Sequence, residues 1–132
     1  MRKPAGTILV VDDERDVLEM IEVGLGLDGY RVLLAQSGEQ AIELVASQRI
    51  DLVISDLKMP GMNGVDTICR LRELAPRIPV IVVTGFLPPG VIDRCRELGG
   101  IELLHKPFPF KQLSHAVHAA LAPSRPEPRV LG

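Results

Sequence analysis

Polar residues follow one another at the ends of apolar runs in this chain. Asp12 and Asp13 come after TILVV, Asp56 after DLVIS, Thr84 after PVIVV and Lys106 after IELLH. If the first and third runs are neighbouring strands, Asp12, Asp13 and Asp56 converge. Two such charges about 4 Å apart oppose each other by roughly 4 kcal/mol at an effective dielectric near 20. Without a cation, at least one of these carboxyls must hold its proton more tightly than usual. A few oxygen ligands with room for water suit Mg²⁺, whereas zinc wants His or Cys, and neither is near these positions. A carboxylate-held Mg²⁺ with a lysine and a hydroxyl opposite is a site for moving a phosphoryl group. The metal and Lys106 neutralise the equatorial oxygens, and a spare carboxylate attacks phosphorus in line. Asp56, alone after its run, is the candidate nucleophile.

Each residue also has a plainer explanation. Asp12 and Asp13 suit the start of a helix, where the dipole favours acid. Asp56 can cap a strand-to-loop transition, and Lys106 can be a solvated charge. What favours a site is the convergence of all of them at one end of one sheet.

The elements that would position them are legible. Runs 7–11, 31–35, 51–55, 79–83 and 101–105 are strand-length and apolar nearly throughout, as strands covered on both faces are. Between them lie helical stripes: Leu18, Ile21, Leu25; Ala41, Leu44, Val45; Val65, Ile68, Leu71; Val91, Ile92, Cys95, Leu98; and Leu113, Ala116, Val117, Ala120, Leu121. Ser37 with Gln40 forms a capping-box pattern, and Asn63 with Asp66 can cap the third helix. Pro88 and Pro89 predict a short fourth helix, and Pro123 stops the fifth. The order (βα)₅ predicts an α/β fold, a doubly wound parallel sheet between two helical layers. In such sheets ligands bind beyond the carboxyl ends of the strands. Residues 1–122 form one domain, and the Pro-rich segment 123–132 is expected to be a disordered tail.

Composition excludes several classes. A formal charge of −2 and 3% aromatic residues offer neither a basic field nor stacking platforms for nucleic acid. No apolar run reaches membrane-spanning length and MRKPAG lacks a signal-peptide core, so a cytoplasmic location is expected. Cys69 and Cys95 sit on apolar stripes and read as reduced core thiols. His115 and His118 share a helix face at i, i+3 but have no third ligand in sight. GLGLDG at 24–29 matches G-x-G-x-x-G letter for letter, yet it closes a helix instead of following a strand, so it does not read as a dinucleotide fingerprint.

The combination of ILVVDDE, DLVISDLKMPGMNG, VIVVTG and HKPF, in that order and spacing, resembles the receiver domain of bacterial two-component response regulators over about residues 6–122. The resemblance implies a flavodoxin-like fold with strand order 2-1-3-4-5. It implies that Asp56 accepts a phosphoryl group from a phosphohistidine of a sensor histidine kinase or a phosphotransfer protein. Asp13 and Asp56 would ligate Mg²⁺ directly, Asp12 through water, and the backbone carbonyl of Lys58 would complete the set. Thr84 and Lys106 would bind the phosphoryl oxygens, and the Lys106–Pro107 bond would be cis. The family carries an aromatic or His three residues before the lysine, where this chain has Leu103, so the switch is expected to run through 84–90, hinged at Gly85 and Gly90. Output is expected on the face of the fourth helix, fifth strand and fifth helix, toward a downstream protein. Enzymatic action would be limited to self-phosphorylation from a donor and slow autodephosphorylation. The alternatives are a phosphorylation-independent interaction module, a receiver excised from a hybrid histidine kinase, and a phosphohydrolase using Asp56, for which Lys58 is a poor general acid.

Overall fold

A computed structural model describes residues 6–57, 64–85 and 89–122. Five strands alternate with five helices. They are β1 (Thr7–Val11), α1 (Arg15–Leu27), β2 (Arg31–Ala35), α2 (Gly38–Ser47), β3 (Leu52–Ser55), α3 (Gly64–Leu74), β4 (Val80–Thr84), α4 (Pro89–Leu98), β5 (Ile101–His105) and α5 (Phe110–Leu121). All neighbouring strands are parallel, in the order β2-β1-β3-β4-β5.

Strand alternation divides the core into two layers. Ile8, Val10, Leu52, Ile54, Ile81, Val83 and Leu104 face one side, against Leu18, Ile21 and Leu25 of α1 and Leu113 and Val117 of α5. Leu9, Val11, Val53, Val80 and Val82 face the other, against Ala41 of α2 and Ile68 and Leu71 of α3. The central strands β1, β3 and β4 are buried almost from end to end, while β2 and β5, at the sheet edges, are partly exposed. The expected stripes on α1 and α3 are the buried ones. On α4 only Cys95 is fully buried, so that helix lies more loosely on the sheet than its stripe predicts. Cys95 and the half-buried Cys69 are both free thiols.

Local signals hold in most places. Ser37 Oγ accepts from the Gln40 N–H at 3.1 Å, while Gln40 Oε1 accepts from the Gln36 N–H, one residue earlier than the usual reciprocal bond. Asn63 and Pro88 lie outside the described residues, as does the expected tail at 123–132. The expected short fourth helix is α4, whose 10 residues equal α2 as the fewest among the described helices. Pro89 opens it at the first position, where a missing N–H costs nothing and a fixed φ suits the helix. The glycines of GLGLDG belong to the end of α1 and its exit, and Gly29 takes φ 97. That left-handed conformation is nearly free only for glycine.

At the amino edge of the sheet, Arg72 of α3 clasps the α4–β5 junction. Its Nε donates to Ile78 O at 3.0 Å, Nη1 to Leu98 O at 3.3 Å and Gly99 O at 2.6 Å, and Nη2 to Gly100 O at 3.0 Å. A planar fork with five donors can serve all four carbonyls at once; an ammonium cannot. Arg72→Lys is therefore expected to lower unfolding free energy by about 1–3 kcal/mol in urea titration. Wild-type stability in that variant would show the clasp to be energetically idle. The two ends of the described fold also meet here: a Cβ added at Gly6 would stand 3.2 Å from Leu121 Cδ1.

Candidate functional site

The sheet's hydrogen-bond ladder runs past the strand ends and fixes the backbone of the polar residues. Asp12 N–H donates to Ala35 O at 3.1 Å, Asp56 N–H to Val11 O at 3.1 Å, and Lys106 N–H to Thr84 O at 2.8 Å. Each residue is thus registered against the strand beside it, and a sheet ordered 2-1-3-4-5 brings them to one edge. The Lys106–Pro107 bond is cis, as the resemblance implies.

Asp12, Asp56 and Lys106 meet. Lys106 Nζ lies 2.9 Å from Asp56 Oδ2 and 3.3 Å from Asp12 Oδ2. Asp12 is 1% exposed and Asp56 7%. Asp12 Oδ1 also accepts from the Glu14 N–H at 2.9 Å, which ties the pocket to the start of α1. Burial pushes the Asp12 carboxyl above its ordinary 3.8, and the neighbouring Asp56 adds to this; the Glu14 N–H and Lys106 pull it back in part. For Lys106, burial alone would weaken the ammonium, but the hydrogen bond to Asp56 and the charges of Asp12 and Asp56 outweigh it, so its pKa stands above 10.5. The like-charge expectation therefore holds for Asp12, with desolvation as the larger cause.

The other sequence-derived residues are placed unequally. Thr84 is buried at the end of β4, across the ladder from His105. Asp13 is exposed, unlike its neighbour. Among the described residues no three His, Cys, Asp or Glu side chains are grouped to hold a metal. Of the three expected carboxylates, Asp12 and Asp56 come together, with Lys106 bonded to both. Lys58, whose carbonyl was to be a ligand, lies outside the described residues. Leu103 is half-buried and packs on the α2–α3 side of the core, in register with Val82. His115 and His118 lie exposed on α5.

Two supports were not evident from the sequence. Ser55 Oγ donates to Asp56 O at 3.0 Å in a buried position. Gly64 N–H donates to Leu57 O at 3.1 Å, and a Cβ on Gly64 would collide with the Leu57 backbone. The start of α3 is thereby pressed against the residue that follows Asp56. The glycine before Val65 was the only available signal, and close approach can be read from a glycine only once its neighbour is known.

In donor chemistry the pocket fits a hard cation: two buried carboxylates, oxygen donors only, beside solvent that a small divalent ion retains. Among the described residues no helix is long and apolar enough to cross a membrane.

Known proteins resemble this chain in sequence and fold. The family model for the response regulator receiver domain matches residues 8–118. The chain is 33% identical over 110 residues to sporulation initiation phosphotransferase F of Bacillus subtilis (strain 168), covering 83% of this chain and 89% of that protein. It is 37% identical over 122 residues to the response regulator MprA of Mycolicibacterium vanbaalenii, covering 91% of this chain but only 52% of that protein. The non-phosphorylated HemR receiver domain of Leptospira biflexa superposes with a TM-score of 0.84 at 29% identity, over 92% of this chain and 98% of that domain. A parallel sheet of this order, with paired acids and a lysine at its carboxyl edge and a matching sequence over nearly its whole length, makes this chain a member of the response regulator receiver domain family.

Proposed function

We propose that the chain is a phosphorylation-dependent switch in which Asp56 accepts a phosphoryl group from a phosphohistidine, borne by a sensor histidine kinase or a phosphotransfer protein. The observation that carries this reading is Lys106 Nζ at 2.9 Å from Asp56 Oδ2, in a pocket with the buried Asp12. An ammonium there neutralises an acceptor carboxylate before reaction and an equatorial phosphoryl oxygen after it. Asp56 attacks phosphorus through a carboxylate oxygen; the P–N bond to the donor imidazole breaks, and the imidazole leaves with its electron pair. Thr84, at the end of the next strand, would bind a second phosphoryl oxygen.

Bound Mg²⁺ would supply charge neutralisation and in-line alignment of the phosphoryl group. Asp13 and Asp56 would hold it directly, Asp12 through water, and the Lys58 carbonyl would complete the protein's share. In this reading Lys106 occupies the space between two acids that the cation would otherwise relieve. Output would use the α4–β5–α5 face toward a downstream protein, in the cytoplasm. Leu103 is already half-buried, with no ring to swing and no polar tip to favour exposure, so its motion would be small. The larger change would fall about Gly85 and Gly90, and residues 86–88 between them lie outside the described residues.

Intact-mass spectrometry after incubation with a small acyl phosphate and Mg²⁺ tests the reaction: one phosphoryl mass is gained and lost again at alkaline pH. Lys106→Ala should still bind Mg²⁺ and gain that mass, yet lose the spectral change that follows phosphorylation. An undiminished spectral change in Lys106→Ala would remove Lys106 from the switch, and a wild type that gains no mass would remove the reaction.

A further inference from the structure

We propose that Phe110 and Gly24 are positioning residues for Lys106: the Phe110 ring, seated on the bare backbone of Gly24, sets where the Lys106 ammonium stands in the pocket. The inference rests on the phosphoryl-site reading only for its functional consequence. It starts from two glycines that the proposed function leaves unexplained. Gly24 and Gly26 both lie inside α1, where each costs about 1 kcal/mol relative to alanine. At Gly26 a Cβ would meet nothing within 4 Å. At Gly24 it would stand inside the Phe110 ring, against three of its carbons, with Cε2 at 2.9 Å. Gly24 is therefore the floor of a socket, and Phe110 fills it.

Phe110 opens α5 and follows Lys106 by four residues, through Pro107, Phe108 and Pro109. The two prolines fix φ at 107 and 109 and restrict the residues before them, 106 and 108. Pro109 is extended, at φ −68 and ψ 142. Few soft dihedrals remain between the ring and the lysine, so the segment acts as a short strut. One end is fixed by the Lys106 N–H on Thr84 O and by Nζ on Asp56 and Asp12. The other is fixed by the ring on Gly24 and, one turn on, by Ser114 Oγ donating to Asp28 Oδ2 at 2.8 Å. A displacement of Phe110 along α1 must then reach Lys106, because little between them can absorb it.

The test is a size swap in the full chain, with Gly24→Ala, Phe110→Leu and the pair, read by amide exchange and by response to beryllofluoride with Mg²⁺. Gly24→Ala lifts the ring, so protection of the Lys106 amide should fall about tenfold while Leu52 and Ile54 in β3 keep theirs. The beryllofluoride-induced shifts at Thr84 and Lys106 should weaken in parallel. Phe110→Leu in that background gives the new methyl room and should restore both, and this coupling of non-additive effects is what a shared contact produces. A uniform loss of protection that includes β3 would make the pair ordinary packing and overturn the proposal. If Gly24→Ala does not fold, Phe110→Leu alone decides. It leaves a gap over Gly24 and must loosen Lys106 locally; wild-type exchange and response there would overturn the proposal. Should beryllofluoride leave the wild type unchanged while Lys106 exchange still follows the size swap, the phosphoryl reading fails and the positioning role stands.

Discussion

Asp56→Asn is expected to gain no phosphoryl mass under conditions that label the wild type completely. The substitution keeps the shape of the side chain and the backbone bond from Asp56 N–H to Val11 O, so the end of β3 stays where it is. What changes is chemistry. A carboxylate oxygen carries the charge and lone pair that form an acyl phosphate, whereas a neutral amide is a far poorer nucleophile toward phosphorus. Lys106 exchanges a charged acceptor at 2.9 Å for a neutral amide oxygen and keeps Asp12 at 3.3 Å, so the pocket does not come apart. Loss of labelling should therefore coincide with a near-native melting transition. Labelling of the Asn variant to the wild-type extent would move the acceptor elsewhere.

Asp12→Asn is expected to make the metal-free protein more stable at neutral pH and to blunt its response to Mg²⁺. Because burial, then Asp56, hold the Asp12 carboxyl above 3.8, the folded state binds that proton more tightly than the unfolded chain does. The charge thus costs stability. The cost is absent below the ordinary value, grows as pH rises from there to the raised folded value, and is constant above it. Lys106 acts in the opposite sense: its raised pKa stabilises the fold below 10.5, and that contribution fades as pH climbs through the folded value. Asparagine retains an oxygen for the Glu14 N–H while removing the buried charge. The gain in melting temperature should therefore be clear at pH 7 and vanish in acid. Saturation at about 100 times the dissociation constant would stabilise the wild type by about 2.7 kcal/mol, and a tenfold weaker site would give up about half of that. The exposed Asp13 differs: Asp13→Ala should weaken Mg²⁺ binding without stabilising the apo-protein. An Asp12→Asn protein that melts below wild type at pH 7, or gains as much from Mg²⁺, would refute this account.

Much of this site could be read from the sequence because a parallel sheet converts chain position into spatial position. Once β1, β3, β4 and β5 are recognised as apolar runs, the residue that ends or follows each must lie at the carboxyl edge, and Asp12, Asp56, Thr84 and Lys106 do. Their depth could not be read in the same way. Adjacent aspartates look equivalent in a string of letters, yet Asp12 is buried and Asp13 exposed, because the chain turns into α1 between them and Asp12 caps the turn through Glu14. Glycines were similarly opaque. Gly24 and Gly64 are explained by Phe110 and Leu57, contacts across 86 and 7 positions (110 − 24 and 64 − 57) that no local pattern encodes. Pro89 shows the same limit at a boundary: proline breaks a helix interior but starts a helix well, and only the structure shows that it opens α4.

The meeting of Gly6 with Leu121 has a consequence for how such a unit can be handled. The first strand begins, and the last helix ends, at the edge of the sheet opposite the acidic pocket. Covalent order and spatial order are then nearly independent on that side. A short bridge from residue 121 to residue 6 would close the backbone into a ring without crossing the pocket. The ring could be reopened at the exposed Arg49, between α2 and β3, on the same side. The circular permutant would keep every ladder bond that carries Asp12, Asp56 and Lys106, since all three lie at the far end of strands whose pairing the cut does not touch. By the same geometry, the unit can be spliced into a longer polypeptide as a single insertion, with the neighbouring sequence entering and leaving through one doorway.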